Sequence, residues 1–311
     1  LESCRARAAL LNERLTLLIK SASSDYIHWF ETFRTSFRLN LTPLNVAPVF
    51  RNCMEALPSA WVFTSATLAV GDSFEHFAGQ LGLEGARRLK LDSPFDYQHN
   101  ALLYLPRDMP APGERHYVDA VVSCARDVLE ASAGRAFVLF TSHSALQAAA
   151  AQLADTLDYP LLVQGSAPRR ELLDRFRELG NAVLLGTGSF WEGVDVRGAA
   201  LSCVIIDKLP FSSPGDPVLQ ARIEALREQG VNPFMAYQLP HAVISLKQGV
   251  GRLIRDHGDR GVLVLCDPRL RGKAYGRIFL KSLPNMPCTR DVDDVHEFFV
   301  ASDTMHVEPV T

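Results

Sequence analysis

Three side chains in the last third of the chain have the types and spacing to handle a phosphate: Gln248, Arg252 and Arg255, in Gln248-Gly249-Val250-Gly251-Arg252-Leu253-Ile254-Arg255. They stand at i, i+4 and i+7, so a helix through them predicts one shared face. Two guanidiniums on one stripe repel each other unless an anion lies between them. Their forked donors match phosphate oxygens. Gly251 removes side-chain bulk beside that face. A solvated, salt-bridged surface is the plainer reading of the same residues. Against it, residues 249–281 carry eight Lys or Arg and three Asp, in a chain of formal net charge −3.

A second cluster is Gly186-Thr187-Gly188-Ser189-Phe190-Trp191-Glu192-Gly193-Val194-Asp195. Three glycines and two hydroxyls so close together permit a backbone to approach a phosphate. A tight connecting turn is the alternative. Two acids beside an adjacent Phe-Trp pair argue for function, because loops carry binding residues on a rigid scaffold. A third cluster, Thr141-Ser142-His143-Ser144, follows an apolar run. Hydroxyls at a helix start cap it, and the same groups can bind an anion at the partly positive helix terminus; the cap is the stronger reading. The loop from Asp207-Lys208-Leu209-Pro210-Phe211 to Pro217 is a weaker candidate surface. No CxxC appears among the six cysteines and no HxxxH among the nine histidines, so these residues predict no metal site. Cys203 and Cys266 sit in apolar runs as small hydrophobes, the pattern of reduced thiols in a cytoplasmic protein.

The elements that must position these clusters follow from the apolar pattern. Strand-like runs occur at 89–91, 102–105, 136–141, 161–163, 182–186, 203–207 and 261–266, with helical stretches at 116–132, 144–157, 168–179, 217–229, 233–250 and 268–282. Continuous runs such as Phe137-Val138-Leu139-Phe140 and Cys203-Val204-Ile205-Ile206 suit strands buried on both faces, and their alternation with helices predicts a parallel α/β sheet, doubly wound. Ligands of such sheets bind beyond the strands' carboxyl ends. Residues 2–19 predict an amphipathic helix and 26–39 one or two strands. The stretch 291–311 has six acids and no Lys or Arg, and predicts a short helix that frays. With 47% hydrophobic residues and no apolar run of the roughly 18 residues a membrane helix needs, the composition excludes an integral helical membrane protein. The first residue is Leu1, so the chain is expected to be a piece of something longer.

Taken together, these clusters resemble the motifs of superfamily-2 helicases, specifically the XPD-like DinG/YoaA group of bacterial DNA helicases. Thr64-Ser65-Ala66-Thr67-Leu68 resembles motif III and Val138-Leu139-Phe140-Thr141-Ser142-His143 motif IV. Residues 186–195 resemble motif V and 248–255 motif VI, and order and spacing agree over 61–270. The resemblance implies a RecA-like second motor domain. It implies that Arg252 and Arg255 are arginine fingers on the γ-phosphate, that Gln248 positions the phosphate or its water, and that Glu192, Gly193, Asp195 and Gly251 belong to the nucleotide side. Thr141, Ser142, Thr187 and Ser189 would touch single-stranded DNA, with Phe190 or Trp191 supporting or stacking. Ser65 and Thr67 would couple nucleotide state to DNA grip. It further implies ATP with Mg2+, 5′→3′ polarity, and a replication or repair protein partner; an iron–sulfur cluster is typical of the group, and whether the parent carries one stays open.

The departures define which half this is. The sequence contains no GxxxxGK[ST], no Asp-Glu dipeptide for motif II, and no cluster of four cysteines. All three belong to the first motor domain in the group. The expected organisation is therefore 1–68 as the end of the arch insertion and the last part of the first motor domain, 69–290 as the second, and 291–311 as an acidic tail. A chain so built is expected not to hydrolyse ATP alone. Two other readings stay open: a non-catalytic module gripping nucleic acid or a repair partner, and a stand-alone enzyme using the 186–193 loop, for which no general base or metal set is found.

Overall fold

A computed structural model describes residues 2–20, 25–57, 59–191, 196 and 198–305. In chain order the elements begin α1 (Glu2–Lys20), β1 (Tyr26–Thr32), β2 (Phe37–Pro43), α2 (Ala47–Glu55), α3 (Glu75–Leu81), α4 (Tyr97–Asn100), β3 (Ala101–Tyr104) and α5 (Tyr117–Ala131). Then come β4 (Ala136–Leu139), α6 (His143–Ala154), β5 (Leu161–Val163), α7 (Arg169–Leu179), β6 (Val183–Gly186), α8 (Gly188–Trp191) and β7 (Cys203–Ile206). The chain continues with α9 (Pro217–Glu228), α10 (Leu239–Val250), β8 (Gly261–Leu265), α11 (Arg269–Gly272), α12 (Gly276–Ser282), β9 (Cys288–Thr289) and α13 (Val292–Met305).

Two compact units form. The larger comprises residues 70–72, 89–211 and 241–311. It holds a seven-stranded sheet in the order β5-β6-β4-β7-β8-β3-β9, with every pairing parallel. The chain leaves β4, passes β6 to reach β5, returns through β6, then crosses β4 to β7. This is the doubly wound α/β architecture expected from the apolar runs, and the RecA-like one that the resemblance implies. The period-2 geometry of strands explains why those runs are continuous. Val138, Phe140, Val183, Leu185, Ile205, Val262 and Val264 face one way, into a core shared with Val128 and Leu129 of α5, Leu146 and Leu153 of α6, and Val295 and Phe299 of α13. Their neighbours Phe137, Leu139, Leu184, Val204 and Leu263 are equally buried, and the Phe137 ring packs on Phe176 of α7 at 4.7 Å.

Some local expectations fail, each for a visible reason. Residues 89–91 form no strand: Leu89 and Leu91 are exposed, and Lys90 bonds instead to Asp72 Oδ1 (2.5 Å) and the Gly71 carbonyl (3.1 Å). The helix expected over 268–282 is broken into α11 and α12: Lys273 is extended, and the chain returns so close that a Cβ on Gly276 would come within 2.0 Å of the Leu270 carbonyl. The 233–250 stretch opens with a π-helical turn over Phe234–Gln238 before α10. Two-residue β9 carries no periodic signal and was not expected. The carboxyl-terminal helix α13 runs to Met305, longer than the acid-rich composition suggests, because Val295 and Phe299 bury against the sheet core.

The smaller unit comprises residues 1–69, 73–88 and 212–240. Its β1–β2 hairpin is antiparallel, with Tyr26 opposite Pro43 and Thr32 opposite Phe37. Segment 61–65 forms no strand in the structure; Phe63 there packs among the rings of Phe50, Trp61 and Phe77.

Candidate functional site

The strands of the larger unit place the predicted residues at two opposite edges of one sheet. At the carboxyl edge, β4 and β6 run in register, Leu139 beside Gly186, and so deliver Thr141 and Thr187 to neighbouring strand ends. Thr187 is buried; its N–H donates to Gln164 Oε1 at 2.6 Å, and its hydroxyl lies 3.2 Å from the same oxygen and 3.4 Å from His143 Nε2. Gln164 follows β5, so its side chain ties the ends of β5 and β6, and Thr187 in turn reaches His143 beyond β4. Ser142 caps α6, its hydroxyl accepting the Ala145 N–H at 3.3 Å, which is the plainer of the two readings of that cluster. The Thr141 hydroxyl is enclosed without a hydrogen-bond partner in the structure. The exposed polar side chains of this loop are His143 and Ser144. The Thr187 hydroxyl is thus engaged within the edge, and the Thr141 hydroxyl is enclosed there while its N–H bonds elsewhere.

Phe190 follows in the same segment. It is buried, and a Cβ on Gly186 would lie 2.8 Å from its ring. The absent Gly186 side chain is what lets the ring lie flat on the β6 end. The Arg169 guanidinium sits 5.6 Å from the ring centroid. Of the two roles expected for it, supporting and stacking, the buried ring fits support of the loop. Glu192, Gly193 and Asp195 lie outside the described residues, and nothing can be added for the Ser189 side chain.

Buried carboxylates tie this edge together. Asp207, at the end of β7, accepts the Thr141 N–H at 3.0 Å and the Lys208 N–H at 2.7 Å through one oxygen. Its backbone carbonyl accepts the Tyr117 hydroxyl. Burial pushes the Asp207 carboxyl up to about 7; the Lys208 charge and the two amides pull the other way, and Asp267 adds to the rise. Asp267, at the end of β8, accepts the Leu209 N–H at 2.8 Å and the guanidinium of Arg269 at 2.6 Å.

Arg252 and Arg255 lie at the other, amino edge. Leu253 packs over the first residue of β8, its Cδ1 within 2.6 Å of where a Gly261 Cβ would stand. The helix that should have carried both arginines on one face stops at Val250, with Arg252 in a following turn and Arg255 beyond it. Gly249 and Gly251 weaken the helix there, the Arg252 and Leu253 N–H groups turn to the Gly249 and Val250 carbonyls, and Asp259 Oδ2 accepts the N–H groups of Arg255 and Asp256 beyond, each at 2.8 Å. Gln248, Arg252 and Arg255 are all half-buried. A Cβ on Gly251 would lie 3.3 Å from the Lys247 carbonyl, so little room exists there for a larger residue. Ser65 and Thr67 belong to the smaller unit, where their hydroxyls lie 3.3 Å apart and Ser65 Oγ accepts the Thr67 N–H. Gln164, Asp259 and Asp267 were not singled out from sequence; each is one polar residue near a strand end, and only the strand order reveals its partners.

A family model described as a helicase C-terminal domain matches residues 125–286. The chain is 49% identical over 292 residues to the ATP-dependent DNA helicase YoaA of Escherichia coli, covering 94% of this chain and 46% of that protein. It is 32% identical over 305 residues to the 3′-5′ exonuclease DinG of Bacillus subtilis, covering 94% and 33%. The chain spans about half the length of the YoaA relatives it matches. Among solved structures, an XPD helicase superposes with a TM-score of 0.60 at 18% identity, over 91% of this chain and 50% of that one, a likeness of fold.

Proposed function

The chain belongs to the XPD/DinG-like superfamily-2 helicases and carries their carboxyl-terminal motor domain, and we propose that in the whole protein this domain meets single-stranded DNA at one edge of its sheet and ATP at the other. The observation that carries this reading is the placement of the two clusters: motif IV and V residues beyond the carboxyl ends of β4 and β6, motif VI residues before the amino end of β8. The segment from Gly186 to Gly198 leaves the first edge and is bonded at its end to the second, through Asp259. A change at the nucleotide then reaches the DNA-facing loop along one covalent stretch.

Half-buried guanidiniums at Arg252 and Arg255 fit a polyphosphate anion. ATP supplies the phosphoryl bond whose cleavage drives translocation. Arg252 and Arg255 neutralise charge that builds on the terminal phosphate when the two motor domains close, and Gln248 orients that phosphate or its water. Glu192, Gly193 and Asp195 take the nucleotide side of motif V. Among the described residues no group of three His, Cys, Asp or Glu side chains is placed to hold a metal, and we assign Mg2+ to the first motor domain, along with any iron–sulfur cluster. On the DNA side, the amides opening α6 and the 186–189 backbone receive phosphates, with Ser142 and Ser189 beside them. Ser65 and Thr67 link that grip to nucleotide state. Polarity of 5′→3′, a cytoplasmic repair role and a repair-protein partner complete the reading.

ATP turnover by this chain alone, with and without single-stranded DNA, tests the division of labour. We expect salt-sensitive DNA binding and no turnover above background. Robust hydrolysis would overturn the assignment of the catalytic metal and phosphate loop to another domain.

A further inference from the structure

Asp259 is buried, and it is bonded at both ends. Its Oδ2 accepts the Arg255 and Asp256 N–H groups, while its Oδ1 accepts the Gly198 N–H at 3.1 Å. Gly198 opens a 3-10 turn three residues after Asp195, with φ +75°, a conformation that favours glycine. One carboxylate therefore fixes where the chain leaves the end of α10 and where the motif V segment ends. A carboxylate that only closed the turn at 255–259 would need one oxygen. The second oxygen reaches 61 residues away, and that reach is what a local cap does not explain.

We propose that Asp259 is the positioning residue for Arg255, holding the backbone from which its guanidinium extends and locking that backbone to the motif V exit. Asp259 touches no nucleotide in this role; it acts through Arg255. The proposal rests on the reading of Arg255 as a finger. A finger displaced by about an ångström loses one to two orders of magnitude in rate, so Asp259 sets how well Arg255 meets the phosphate after the domains close.

The chemistry separates the two bonds. In Asp259→Asn, the amide oxygen keeps the place with two donors, and the NH2 then faces the Gly198 N–H, donor against donor. The Arg255 anchor is retained and the link to motif V is lost. Asp259→Ala removes both.

The test is made in the full-length protein, with DNA-stimulated hydrolysis and amide hydrogen exchange read together. Asp259→Asn is expected to lower kcat about tenfold while KM for ATP stays within about twofold. The double variant Asp259→Asn, Arg255→Ala should be no slower than Arg255→Ala alone, since both act on one group. Exchange at residues 255 and 256 should remain slow in Asp259→Asn and speed up in Asp259→Ala. A wild-type kcat in Asp259→Asn, or effects that multiply in the double variant, would overturn the proposal while leaving the finger in place. If Arg255→Ala itself is harmless, the finger reading falls and takes with it the catalytic sense of the positioning. The exchange data then decide alone whether Asp259 holds the 255–256 backbone, and unprotected amides in the wild type would refute even that.

Discussion

The Asp207 carboxylate accepts the backbone N–H of Thr141 at 3.0 Å, joining the ends of β7 and β4 across 66 residues of sequence. The carboxyl group is buried and its pKa is raised to about 7, chiefly by desolvation. The folded state therefore holds a proton that the unfolded chain releases near pH 4. Between about pH 4 and 7 the native state binds more protons, so this group's contribution to stability falls as pH rises through that window and levels off above it. Thermal unfolding from pH 5 to 8 should show this fall in the wild type. Asp207→Asn, which cannot titrate, should lose that component of the slope; an identical slope in both proteins would count against a raised pKa.

Phe190 separates packing from stacking. Its ring is buried against Gly186, so Phe190→Ala should cost about 3–5 kcal/mol of stability in chemical denaturation. Phe190→Leu restores most of the volume and should bind single-stranded DNA within about twofold of the wild type. A base-stacking ring would instead lose about 1–3 kcal/mol of binding in either variant, and such a loss in Phe190→Leu would return the residue to the DNA surface.

Gly186→Ala tests the same contact from the other side. The added Cβ would stand 2.8 Å from the Phe190 side chain, too close to be absorbed without moving the ring. Overpacking of this kind costs about 1–3 kcal/mol. A neutral result would mean that the ring shifts freely and is not held by the strand end.

Gln164 joins the ends of β5 and β6 through Thr187. Gln164→Leu leaves the Thr187 N–H without its 2.6 Å acceptor, an exposed cost of about 1–3 kcal/mol for a buried donor. Stability should fall by that amount, and amide exchange at Thr187 should accelerate. Unchanged exchange would show that another acceptor serves Thr187.

The sheet was legible because β4, β6, β7 and β8 are short apolar runs buried on both faces, a pattern that survives without knowledge of neighbours. The motifs were legible as composition: glycines with hydroxyls, paired arginines, a hydroxyl-rich helix start. What those residues do locally was not. Thr187 reads as a phosphate-binding hydroxyl until β5 brings Gln164 beside it. Phe190 reads as either supporting or stacking until Gly186 proves to be its floor. Arg252 and Arg255 read as one helical stripe until the chain tightens past Val250 and Asp259 takes the Arg255 and Asp256 amides out of the helix pattern. Each miss is a contact, local or distant, that composition and periodicity do not reveal. The two-residue β9 and the strand wrongly expected at 89–91 fail for the same reason, since an edge strand exists only where a partner edge accepts it.

The most direct test of the account is hydrolysis by the full-length protein carrying Arg255→Ala, with single-stranded DNA saturating and nucleotide affinity measured separately. An arginine finger is worth roughly a thousandfold or more in kcat. We expect DNA-stimulated turnover to collapse by about that factor while ATP still binds. Turnover equal to the wild type would contradict the placement of this domain's motif VI on the nucleotide.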